Sequence, residues 1–209
     1  MPKICSATPA LNSKIKKTLR EFKSVWKNDT LVYEELCFCL LTPQSAAKQA
    51  NKAINLLREN KLLTKGSASE KEEYVRNVRF YITKAKRLVI AQEKFPKNKI
   101  KKILIKNGLP SDPTRCREFL VKNVNGYGYK EASHFLRNIG FSEEVAILDR
   151  HILKNLVRYK IIKEVPQTIS PKKYLEIEEK MKKYCVKNKI NFAELDLIFW
   201  SNETGNVLK

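Results

Sequence analysis

The sequence predicts an all-α fold. Three observations carry that expectation. Apolar residues recur at helical spacing along most of the 209 residues. Alternating strand patterns are scarce. The 8 Pro stand at apparent element boundaries, two of them directly behind an Asp or a Ser that can cap a helix. The content of 43% hydrophobic and 9% aromatic residues describes a folded globule with a real core, not a disordered tail.

The elements follow in order. KIKKTLREFKSVWK places Ile15, Leu19, Phe22 and Trp26 on one helical face, and LVYEELCFCLL reads as a buried helix. SAAKQANKAINLLRENKLL puts Ala50, Ile54 and Leu57 on one stripe. KEEYVRNVRFYITKAKRLVIAQEKF gives one long or two short helices rich in basic residues, and Lys99 to Lys106 a short basic–apolar helix. Asp112-Pro113 supplies an N-cap and first helical residue for TRCREFLVKNV, and Ser170-Pro171 repeats the signal before KKYLEIEEKMKKYCVK. NFAELDLIFW forms the last helix. The sum is about ten helices, each too short to stand alone, with no internal repeat and no low-complexity linker.

The 42 Lys+Arg against 22 Asp+Glu leave a net charge of +20, a positive field that draws polyanions, nucleic acid first. A Lys-rich composition also arises from genome bias or heat adaptation. No apolar run approaches the roughly 20 residues of a membrane span. The start, MPKICSATPALNSKIKK, lacks the apolar core of a secretory signal, so an intracellular protein is expected. The 5 Cys (Cys5, Cys37, Cys39, Cys116 and Cys185) are odd in number and scattered, with no metal or iron–sulfur spacing. Cys37 lies in an apolar run and reads as a buried thiol in a reducing compartment.

The most punctuated stretch is VNGYGYKEASHFL, residues 124–136. Gly126 and Gly128 permit positive φ and close approach of backbone N–H groups to an outside object. With the positive end of the helix that follows, these groups make an anion site, or the glycines only turn the chain at an αα-corner. The third Gly of a dinucleotide fingerprint is missing and no strand precedes the turn. Lys130 opens the outgoing helix, away from the face of Ala132, Leu136 and Ile139. A positive helix end disfavours an ammonium, and a free amine is a nucleophile able to form a Schiff base; a solvated surface lysine is the other reading. His134 follows Lys130 at i+4, where it tunes the amine, touches a ligand or is solvated. Asp149 cuts an apolar run, Val145 to Leu148, and precedes a helix. It is an N-cap that also turns a carboxylate toward a cleft, or a cap alone.

Together, NVNGYGYKEASHFL, the later AILDRHIL and the earlier CLLTPQSAAKQANKAINLL resemble the helix–hairpin–helix DNA glycosylases, roughly from residue 30 to the end of the chain. The resemblance implies two helical lobes with DNA bound across a cleft: residues 30–140, with the helix–hairpin–helix at 114–140, and residues 1–29 plus 141–209. It places the phosphate-binding turn at Gly126 and Gly128, a Schiff-base lysine at Lys130 and a catalytic aspartate at Asp149. The loop Thr42-Pro43-Gln44-Ser45 then faces DNA at the lesion, with Gln44 entering the vacated space. A lysine at 130 implies a bifunctional enzyme. The absence of a C-terminal four-Cys cluster and the ending LDLIFWSNETGNVLK are similar to the compact archaeal-type 8-oxoguanine DNA glycosylase/AP lyases, in which Trp200 and the C-terminal Lys209 reach the base pocket. The hairpin departs from the usual Pro-Gly by carrying Asn125-Gly126 and a bulky Tyr127.

The implied activity is base-excision repair by a monomer that needs no metal or other cofactor. Its substrate is double-stranded DNA carrying 8-oxoguanine or an abasic site. Two alternatives share the features. A glycosylase for oxidised pyrimidines would keep Lys130 and Asp149; a non-catalytic helix–hairpin–helix DNA-binding module would need only the glycines and the charge.

Overall fold

The computed structural model describes residues 9–204. Among these the chain forms eleven helices: α1 (Pro9–Val25), α2 (Asp29–Leu41), α3 (Ala47–Glu59), α4 (Ala68–Val75), α5 (Tyr81–Lys94), α6 (Ile100–Lys106), α7 (Pro113–Asn123), α8 (Tyr129–Asn138), α9 (Arg150–Arg158), α10 (Pro171–Asn188) and α11 (Phe192–Thr204). The all-α expectation holds, and no strand occurs among the described residues.

Local chemistry sets the helix starts. Asn28 Oδ1 accepts from the N–H groups of Thr30 and Leu31 at 2.8 and 3.3 Å and starts α2. Ser67 and Glu70 form a reciprocal capping box at α4. Asp112 caps α7 and Ser170 caps α10, each with Pro at the first helical position. The basic stretch of 71–95 resolves into two helices: α4 ends at Val75, and α5 starts at Tyr81 directly after Phe80, which has a left-handed φ of 60°. Trp26 falls just beyond α1 and packs edge-on against Phe141, with ring centroids 5.0 Å apart.

α2 is the central element. Nearly every side chain from Val32 to Leu41 is buried, and α3, α5, α6 and α8 pack around it. Each large apolar side chain so buried contributes about 1.5–3 kcal/mol. This first apolar cluster runs from Val32 to Val145. A second begins at Ala146 and gathers α9, α10 and α11. A third joins Ile15 and Phe22 of α1 to Leu197 and Ile198 of α11, so the first and last helices meet. The chain therefore passes from one cluster to the next immediately before Asp149.

Cys37, Cys39, Cys116 and Cys185 are buried thiols; burial pushes Cys37 up to about 12, which makes it an inert core group. Cys5 lies outside the described residues. No described helix is long and apolar enough to cross a membrane.

Candidate active site

The hairpin between α7 and α8 is built on Tyr127. Its side chain turns inward, its ring lies 6.3 Å from that of Phe135, and its hydroxyl donates to the Leu36 carbonyl of α2 at 2.9 Å. The bulky residue is thus the anchor that seats the turn on the core. Gly126 has φ +98°, a conformation that requires glycine. A Cβ there would fall 2.7 Å from Cδ of Arg87, whose side chain lies over the turn.

Of the two glycines, which both permit positive φ, only Gly126 adopts it. Gly128, at φ −101° and ψ −173°, is extended backbone open to any residue. Its N–H donates to Glu131 Oε2 at 3.2 Å, which closes the first turn of α8 from within. The same carboxylate lies 3.8 Å from Lys130 Nζ through its other oxygen.

Past the hairpin, α8 presents Lys130 and His134 to a cavity of about 540 Å³. Asp149 and His151 enter it from the start of α9, Gln44 and Ser45 from the loop after α2, and Trp200 from α11. Five of the residues singled out in the sequence (Gln44, Lys130, His134, Asp149 and Trp200) therefore line one space, although they come from four separate parts of the chain. Gly126 and Gly128 stand outside that lining. Lys209 lies outside the described residues.

Asp149 satisfies both of its readings. Oδ1 accepts from Ile152 N–H at 2.8 Å and caps α9, and the half-buried carboxylate faces the cavity. His134 is not solvated: it is 7% exposed and packs edge-on to Phe38, with centroids 5.8 Å apart, in the cavity wall. His151 meets Trp200 edge-on at 5.0 Å. Phe199, the neighbour of Trp200, points the other way and stacks on Tyr159 in the core. Gln44 is exposed at the mouth in a left-handed conformation, φ 54°.

Sequence reasoning missed four groups here. Arg137 and Asp196 pair at 3.5 Å in the cavity wall. Burial raises the Asp196 carboxyl above its usual range, with Arg137 opposing and Asp149 reinforcing the rise. Arg137 was legible, since 130, 134 and 137 share one helical face; Asp196 was a lone acid in an apolar run. Phe80 is a 53% exposed aromatic with the Arg79 guanidinium 4.8 Å over its ring, and Arg79 lines the cavity. Lys84 is 1% exposed, and its ammonium donates to Leu41 O at 2.7 Å, Pro43 O at 2.8 Å and Ser45 Oγ at 3.1 Å. It fixes the loop that carries Gln44, and nothing in the sequence sets it apart from the other basic residues.

A cavity of this size suits a flipped base, and an amine and a carboxylate at its wall suit imine chemistry at a sugar carbon. Comparison with known proteins gives the family. A model of the 8-oxoguanine DNA glycosylase family matches residues 15–190. The 8-oxoguanine DNA glycosylase/AP lyase of Fusobacterium nucleatum is 48% identical over 203 residues, covering 95% of this chain and 93% of that protein. The Methanocaldococcus jannaschii protein of the same name is 41% identical over 214 residues, covering 95% of each. The crystal structure of the latter with a 15mer DNA containing 8-oxoguanine superposes with a TM-score of 0.82 over 95% of this chain and 93% of that one, at 40% identity. The Thermotoga maritima enzyme gives 0.85 at 31% identity, over 99% and 96%. The chain belongs to the 8-oxoguanine DNA glycosylase family.

Proposed function

We propose that this protein is a bifunctional 8-oxoguanine DNA glycosylase/AP lyase of base-excision repair, with Lys130 as nucleophile and Asp149 as its acidic partner. The observation that carries the reading is that an amine and a carboxylate from the starts of two successive helices line one cavity of purine size, within a chain of this family.

The damaged nucleotide leaves the stack, because its glycosidic carbon is unreachable inside a duplex. The basic surface neutralises phosphates. The turn at Gly126 and Gly128, with the Arg87 side chain against it, grips one of them and sets the register. The Gly128 N–H is already engaged by Glu131, so Gly126 and Arg87 carry more of this contact than Gly128 does. Gln44 fills part of the vacated stack, and Trp200 offers an aromatic face to the base.

The free amine of Lys130 attacks C1′, and the bond to the base breaks with its electron pair leaving on the base nitrogen. Asp149 stabilises the positive charge that develops on the sugar and takes up a proton from the attacking amine. The C1′–O4′ bond then breaks, with its electron pair and the proton held by Asp149 going to the ring oxygen, and a protonated Schiff base is left at C1′. Removal of a C2′ proton expels the 3′ phosphate by β-elimination, and water releases Lys130. Each step is acid–base or nucleophilic chemistry available to these side chains. His134, packed beside Lys130 in the wall, tunes the amine. Lys209 is assigned to the base pocket by the resemblance.

By this reading the duplex lies across the cleft between the 30–140 lobe and the lobe formed by both chain ends, and a monomer suffices. The test is a panel of duplexes with single lesions. Preferential release of 8-oxoguanine supports the proposal; preference for thymine glycol transfers the same chemistry to oxidised pyrimidines and overturns the substrate.

A further inference from the structure

We infer that Arg117, Ser133, Tyr174 and Glu178 form a buried positioning network that sets where Asp149 stands relative to Lys130. The inference rests on the roles proposed for those two residues, and nothing in the chemistry above requires it.

The segment before Asp149, residues 145–148, is neither helix nor strand, yet all four residues are buried. Its backbone polar groups need partners. They find them in side chains of α10, where a sheet would offer a neighbouring strand. Ala146 N–H donates to Glu178 Oε2 at 2.6 Å. The Tyr174 hydroxyl donates to Ala146 O at 2.6 Å and accepts from Leu148 N–H at 3.2 Å. Burial holds the Tyr174 phenol far above its ordinary range, so it stays a donor at any working pH.

The same side chains reach the helix of the nucleophile. Arg117 of α7 grips Glu178 with two bonds, 2.6 and 2.9 Å, and its Nη1 lies 3.3 Å from Ser133 Oγ. The Ser133 hydroxyl is 3.4 Å from that of Tyr174. Ser133 follows Lys130 by three residues in α8. Arg117 is 0% exposed and Glu178 is 3% exposed, with the guanidinium flanked by the rings of Tyr129 and Tyr174 at 5.3 and 5.7 Å. A buried ion pair gains little net stability against its desolvation. What it supplies here is a fixed geometry, at the point where the chain passes between its two large apolar clusters and where the two reacting groups diverge in sequence.

Tyr174→Phe is the conservative probe, since it keeps the ring and removes only the hydroxyl that holds Ala146 and Leu148. At saturating enzyme, the single-turnover rate of 8-oxoguanine release falls on the order of tenfold, the scale of a small misplacement of reacting groups. Affinity for a duplex with an uncleavable abasic analogue changes less than twofold. In the Asp149→Asn background the same substitution has no further effect, because both changes act through one carboxylate. An equal loss in both backgrounds overturns the inference and makes the network merely structural. An unchanged rate in wild-type background overturns it as well. If Asp149→Asn alone leaves the rate intact, the role of Asp149 fails, which is a separate result. Should Tyr174→Phe unfold below assay temperature, Ser133→Ala, which cuts the link to α8 at one atom, carries the same cycle with the same outcomes.

Discussion

Replacing Lys84 with Met tests how the mouth of the cavity is held. The substitution keeps an apolar stem in the core and removes three donor contacts: Leu41 O, Pro43 O and Ser45 Oγ. Ser45 Oγ still accepts from Arg79 N–H at 2.9 Å, so two carbonyls lose their donor. Leaving each buried acceptor unpaired costs about 1–3 kcal/mol. Relief of the buried ammonium offsets part of this, and the net loss is about 2–4 kcal/mol. For a chain of this size the melting temperature drops by roughly 5–15 °C. Gln44, whose φ of 54° is sustained by that loop, loses its fixed position. Binding to a lesion-bearing duplex therefore weakens more than binding to undamaged DNA.

The loss also depends on pH. Burial, with the nearby Arg87 charge, pushes Lys84 down from its ordinary 10.5 to about 8. Between those values the unfolded chain holds a proton that the folded chain has released, so the wild type gains stability as pH rises through this window and the Met variant does not. Thermal unfolding at pH 7 and pH 9.5 should show the gap between the two proteins widening at the higher pH. A gap that narrows, or a melting point within about 2 °C of wild type at both pH values, refutes the reasoning.

Gly126→Ala forces a side chain into a left-handed residue and against Arg87, at a cost of about 1–2 kcal/mol. A fluorescence anisotropy titration should show weakened affinity for any duplex, damaged or not, and unaltered binding removes the turn from the phosphate contact. Asp149→Asn keeps a good N-cap, so stability should move by less than about 0.5 kcal/mol. Base release should nevertheless slow by about a hundredfold or more. A variant that unfolds but retains its turnover per folded molecule would make Asp149 a cap and nothing else.

What the sequence disclosed follows how locally each feature is encoded. Asp112-Pro113, Asp149 and Ser170-Pro171 announce helix starts by short-range chemistry, and the structure has α7, α9 and α10 begin there. The stripe of Ala132, Leu136 and Ile139 marks the apolar face of α8, but the helix is buried all round from Ala132 onward, and Lys130 reaches the cavity from its first turn. The break at Phe80 was illegible, because a phenylalanine carries no signal for positive φ. Lys84 and Arg117 were hidden for a related reason. Each is a basic residue like many others in the chain until distant carbonyls or Glu178 close around it. Gly128 misled in the opposite direction: its backbone is ordinary, and its N–H is spent on Glu131, a partner only three residues away. Arg137 could have been found by continuing the 130–134 face one turn further.

The central claim is that Lys130 forms a covalent imine with the sugar of the excised nucleotide. Borohydride reduction during reaction with an 8-oxoguanine duplex measures this directly. The account predicts a stable protein–DNA adduct with the wild type and none with Lys130→Gln. An undiminished adduct in that variant, or no adduct with the wild type while the base is released, would contradict it.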